Sequence, residues 1–190
     1  MDGQLREAGD LIASVQAGSF DRRTKAEVFG KSQSSSTTKR EIIMPNSVHL
    51  HRVLAARPDK VYRAFLEPDA LAKWLSPNGF ACTVHKLEPT VGGSYSMSFR
   101  NFTTSQSHSF SGKYIELIPN QRLRYVDRFD DPNLTGEIQV TVTLRPVSVG
   151  TELNIVQEGL PDMIPVEACY LGWQDSLQNL ARLVEPDINP

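Results

Sequence analysis

Two cysteines, Cys82 and Cys169, are all that 190 residues contain. That is too few for a disulfide framework, and it points to buried thiols in a reducing, cytoplasmic setting. No apolar run approaches the roughly 20 residues a helix needs to cross a bilayer. The N-terminus carries Asp2, Glu7 and Asp10 and lacks an apolar stretch, so it does not read as a secretory signal. Asp2 excludes a myristoylation start. Without a signal, the sequons at Asn101 and Asn133 have no route to glycosylation. Positive charge is not in excess either. A net charge of −2 and a pI near 6.1 exclude a general nucleic-acid binder, which needs a basic surface to displace phosphate counterions. Also missing are H-E-x-x-H, G-x-S-x-G, C-x-x-C and any phosphate-cradling glycine loop. The sequence therefore implies no metal and no cofactor.

What is present is unevenly distributed. Residues 1–43 contain no proline, histidine, tryptophan or tyrosine and sum to +1, whereas residues 44–190 sum to −3. Residues 5–17 have loose helical spacing through Leu5, Ala8, Leu11, Ile12 and Val15. Such a helix is either transient or docks on a partner, a second copy of the chain included. Residues 31–39 are a Ser/Thr-rich stretch that cannot bury enough apolar area to offset its ordering entropy, and read as a linker. The expected organisation is an extension over 1–43 and one domain over 44–190, with Met44 as a candidate natural start.

The domain begins with an alternating, β-prone run over 48–54. Pro58-Asp59 and Pro68-Asp69 each open a short helix, with proline in the first turn and an acid at the positive end. Strands follow over 81–87, 94–99, 107–117, 122–129, 136–145 and 151–157, with Pro146–Gly150 read as a turn. A final helix runs from about 165 to 184, with Val166, Tyr170, Trp173, Leu177, Leu180 and Val184 at steps of four and three. Short connections pair neighbouring strands antiparallel. The predicted class is α+β: a curved sheet of about seven antiparallel strands wrapped round one long C-terminal helix.

One helix covers a broad sheet incompletely, so a space between them is expected. Tyr95, Met97, Phe99, Phe110, Tyr114, Tyr125 and Trp173 are the large inward candidates to line it. The alternative is that these same residues fill a solid core. Trp74, His108, Tyr170 and Leu177 complete the expected lining. His108 shares a strand face with Phe110, Gly112 and Tyr114 by alternation. Gly112 within that strand suggests a sharp bend. Cys169, near Trp173 at helical spacing, reads as a buried, inert thiol.

The joint pattern of several segments resembles a known family. Its pieces are 55–74 with Pro77, Val91-Gly92-Gly93-Ser94-Tyr95, 112–125, 150–159 and 172–183. Together they resemble the activator of heat-shock-protein-90 ATPase homologue family of the START/Bet v 1-like superfamily, whose fold is the helix grip. The resemblance covers about 46–185. Where many relatives have a second aromatic, an arginine and a histidine, this chain has Leu75, Thr90 and Gln157. The resemblance implies a ligand cavity, and by the family's name a chaperone partner. The wider superfamily includes cyclases and aromatases.

Three functions are therefore expected in competition: a binder of a small hydrophobic molecule (lipid, polyketide or aromatic), a chaperone-regulating module, and a cavity enzyme. The enzyme reading rests on His108 and Tyr114 as candidate catalytic groups, with Glu116 and Tyr125 beside them. His49 and His51 share a strand face and, with His85 or His108, would make a metal site; an exposed histidine pair is the simpler reading. Asp127, Asp130 and Asp131 likewise read as a solvated turn rather than a cation site.

Overall fold

Alternating apolar residues build the sheet, and the computed structural model describes residues 46–187. The expected helix over 5–17, the linker over 31–39 and the start at Met44 lie outside the described residues. Strand β1 (Val48–Leu54) is followed by helices α1 (Pro58–Ala64) and α2 (Pro68–Trp74). Six strands come next: β2 (Phe80–Leu87), β3 (Ser94–Asn101), β4 (Ser107–Ile118), β5 (Arg122–Phe129), β6 (Ile138–Val147) and β7 (Gly150–Glu158). Helix α3 (Val166–Val184) closes the fold.

All seven strands form one antiparallel sheet in the order β1-β7-β6-β5-β4-β3-β2. Strands β2 to β7 are a simple meander, and β1 joins the far edge beside β7. The helices pack on one face, whose apolar rows include Ile138, Val140, Val142 and Leu144 of β6 and Leu153 and Ile155 of β7. This is the predicted helix-grip architecture.

Proline opens both short helices at the first turn, as the sequence indicates. Trp74 is fully buried where α2 ends, its ring packs edge-on against Phe65 with centroids 4.8 Å apart, and its indole N–H donates to the Ala64 carbonyl at 2.8 Å. That single side chain fixes the corner between α1 and α2. Helix α3 packs chiefly on α2, β1 and α1. Ser176 Oγ donates to the Leu75 carbonyl at 2.7 Å and Asn179 Nδ2 to the Ser76 carbonyl at 3.3 Å, tying α3 to the end of α2. The helix therefore leans toward the β1 side, and the inner face of β3–β5 is left to face open space.

Two local readings need correction. Strand β6 runs on through Pro146, which pairs with Thr151, and the turn shrinks to Ser148-Val149. Strand β5 pairs with β6 only as far as Thr143, so a residue without an N–H costs no ladder bond at Pro146. Gly112 does not mark a bend of its own. Its pairing with Tyr95 on one side and Asp127 on the other is in register, and the irregularity in β4 falls at Ile115. Gly112 is there because a Cβ would collide with the Tyr95 ring and the Val126 carbonyl.

Candidate functional site

Between the sheet and α3 lies a cavity of about 110 Å³. Strands β3, β4 and β5 provide its floor. Tyr95, Met97 and Phe99 come from β3, His108, Phe110 and Tyr114 from β4, and Tyr125, Asp127 and Phe129 from β5. Phe65, Leu71, Leu75 and Pro77 from the α1–α2 segment, and Cys169, Gly172, Trp173 and Ser176 from α3, form the roof. The aromatic rings interlock: Tyr95 and Tyr114 have centroids 5.2 Å apart, Tyr95 and Tyr125 6.0 Å, and Phe99 and Phe110 5.0 Å. Tilted and edge-on pairs of this kind hold one another rigidly.

Polar groups in the lining are few and distinct. The Tyr95 hydroxyl donates to Asp127 Oδ1. Among the described residues no cation faces that carboxyl, and burial pushes its pKa up to about 7, against the pull of the Tyr95 hydrogen bond. Burial and the neighbouring carboxylate drive the pKa values of Tyr95, Tyr114 and Tyr125 upward, so all three hydroxyls stay protonated. His108 turns inward, where burial lowers its pKa, partly opposed by Asp131. Among the described residues its Nε2 is the one buried side-chain nitrogen or oxygen without a hydrogen-bond partner. On the helix side, Gln157 Oε1 accepts from the Trp173 indole at 2.7 Å and from the Cys169 thiol at 3.0 Å. Trp173 thus both faces the cavity and pins the helix.

Eight of the expected lining residues meet around this space: Tyr95, Met97, Phe99, His108, Phe110, Tyr114, Tyr125 and Trp173. Three do not. Trp74 and Leu177 are buried in the core and do not line the cavity. Tyr170 is 42% exposed. The first turns of α3 bury Cys169, Gly172 and Ser176 instead, small residues that let the helix approach, and Tyr170 sits roughly 100° round from Cys169. The enzyme candidate Glu116 points away from the cavity and pairs with Arg122 at 2.7 Å. The proposed histidine and aspartate clusters do not assemble. His49 and His51 lie on the exposed face, where His51 meets Glu152, while His85 bonds Ser98. Asp130 accepts from Ser111, Asp131 caps the turn at Asn133, and Asp127 stands alone inside. Among the described residues no three metal-ligating side chains converge, and no helix is long and apolar enough to cross a membrane.

Residues 55–185 match the family model described as Activator of Hsp90 ATPase homolog 1-like protein. The chain belongs to this family. It is 59% identical to a Chromobacterium violaceum protein of known crystal structure, with a TM-score of 0.75 over 76% of this chain and 100% of that one. A Rhodobacter sphaeroides protein is 25% identical, with a TM-score of 0.65 over 72% of this chain and 90% of that one. An AHSA1-like protein from Aeromonas hydrophila, at 21% identity and a TM-score of 0.62 over 73% and 92% of the two chains, shares the fold. No curated protein matches the chain. As a member of this family, the protein has a helix-grip frame consistent with the START/Bet v 1-like superfamily.

Two functional-looking residues escaped the sequence reading. In the sequence Asp127 reads as part of a turn, although Leu123, Tyr125, Asp127 and Phe129 alternate onto one face. Gln157 continues the inward row of Leu153 and Ile155. In both, one polar residue in an apolar row was the available signal.

Proposed function

We propose that this family member binds a small, largely apolar molecule in the space between its sheet and α3. The observation that carries the reading is the cavity itself, walled by interlocked aromatic rings. Its size favours one of the three expected ligand classes. An engineered cavity of about 150 Å³ holds benzene, whereas drug-sized ligands occupy about 300–1,000 Å³. At about 110 Å³ the space suits a single ring and is too small for a whole lipid or polyketide.

Titration with single-ring compounds tests this. Melting temperature rises with ligand concentration, as mass action requires for a ligand bound only by the folded state. Amide NMR shifts concentrate at Tyr95, Phe110 and Trp173, and Ile138→Phe, which fills the space, abolishes both responses. A flat response across single-ring compounds defeats the proposal.

A second reading, a cavity enzyme, is supported by Asp127, His108 and three protonated tyrosines lining one space. A carboxyl with a pKa near neutrality suits proton transfer. Loss of turnover in Asp127→Asn and His108→Ala, with ligand affinity retained, would distinguish catalysis from binding.

A further inference from the structure

The polar groups of the cavity carry chemical information beyond its size. Among the described residues Asp127 has one hydrogen-bond partner, the Tyr95 hydroxyl. Asp127 is partly buried, and a carboxyl drawn this far from bulk water ordinarily has several partners or a cation. The cation in the lining, Arg128, is committed to Glu137 through its Nε at 3.0 Å and its second nitrogen. Among the described residues nothing else completes the coordination of Asp127. Tyr114 and Tyr125 line the same space as Asp127, and its charge helps hold both their hydroxyls protonated.

We infer that the cavity takes a neutral single-ring compound carrying a hydroxyl, of the phenol class, with the hydroxyl donating to Asp127 and the ring packed among the tyrosines. This rests on the cavity-binding reading above and names its ligand class. A hydroxyl is singled out because it both donates and accepts. It gives a proton to the carboxyl and accepts one from a tyrosine. A carboxylate ligand would face a like charge with no free cation among the described lining residues to offset it. An ammonium ligand cannot accept from tyrosine and must shed its hydration in a mostly apolar space. A ring without a polar group leaves Asp127 as poorly satisfied as before.

Calorimetric titration of the full chain with four probes tests the inference: p-cresol, p-xylene, 4-methylbenzylamine and 4-methylbenzoate. The first two have the same shape. An apolar cavity alone would favour p-xylene, because the hydroxyl of p-cresol must be desolvated. The expected result is the reverse, with p-cresol tightest by roughly tenfold or more, the scale of one satisfied buried polar group. In Asp127→Leu the ratio of p-cresol to p-xylene affinity falls at least fivefold while p-xylene still binds. Asp127→Val, which also removes the acceptor and suits a strand, shifts the ratio in the same direction and serves if the leucine variant does not fold. Binding of p-xylene as tight as p-cresol overturns the hydroxyl inference and leaves cavity binding standing. Tightest binding of the amine or the benzoate does the same. A preference for p-cresol that survives in both variants overturns the role of Asp127. If none of the four binds, this inference and the cavity-binding proposal fall together.

Discussion

The hydroxyl of Tyr95 on β3 reaches the carboxyl of Asp127 on β5 across the strand between them. The three residues Tyr95, Gly112 and Asp127 stand in one cross-strand row, and the missing side chain at Gly112 is the gap through which the tyrosine lies. Cross-strand aromatic cover of a glycine pins register as well as filling space.

Gly112→Ala should therefore damage the fold by steric exclusion, since its Cβ would overlap the Tyr95 ring and a backbone carbonyl. Overpacking of this kind costs about 1–3 kcal/mol. Urea unfolding measures it. If Gly112→Ala matches the parent in stability, Tyr95 does not depend on this gap.

Asp127 makes stability depend on pH. Its carboxyl, ordinarily near 3.8, titrates at about 7 when folded. Between those values the unfolded chain has released a proton that the folded chain retains. Stability therefore falls as pH rises from about 4 to about 7, by up to about 1.4 kcal/mol per pH unit, and then levels. The lowered pKa of His108 acts oppositely, removing stability as pH drops below its ordinary 6.5. Comparing Asp127→Asn with the parent isolates the first effect: the variant gains relative stability between pH 4 and 7. A constant difference across that range refutes the assignment.

Gln157 is expected to matter through the two donors it holds. Gln157→Leu leaves the Trp173 indole and Cys169 thiol without their acceptor, at a cost of about 1–3 kcal/mol. The indole environment changes, so the Trp173 emission maximum moves. Burial pushes Cys169 up to about 12 and Cys82 up to about 11. At pH 8 a thiol reagent should leave Cys169 unlabelled until the protein unfolds. Rapid native labelling at Cys169 would contradict its burial.

The two aromatics displaced from the lining separate by burial. Trp74→Phe loses the bond to Ala64, costing about 1–3 kcal/mol, with ligand affinity unchanged. Tyr170→Ala, at an exposed position, stays within about 0.5 kcal/mol of the parent. Thermal unfolding and ligand titration of both variants check this. A large loss of affinity in either would place that residue back in the site.

Most of the fold was legible because strand alternation and turn residues are local signals. The long helix was legible as an element, but its buried face was not. Tyr170 fits the periodicity of Leu177 and Val184, yet where the helix meets its neighbours depends on Gly172 and Ser176, whose smallness matters only across a tertiary contact. Gly112 shows the same limit. The residue that requires it, Tyr95, lies on another strand, so its sequence neighbours suggest a bend and give the wrong reason. Asp127 and Gln157 were readable by parity, since each interrupts an apolar row. The size of the cavity was not readable, because it depends on how far α3 leans.

The strand order also has a consequence for how the chain matures. Strands β2 to β7 can pair by successive hairpins as they are made, but β1 must wait for β7, more than a hundred residues later. During synthesis at about 5–20 residues per second, the apolar side of β1 has no partner for several seconds. Val48, Leu50 and Leu54 then stand uncovered. Closure of that last ladder, an encounter of high contact order, is the slow step this topology imposes, and β1 is the segment a nascent-chain chaperone would meet exposed.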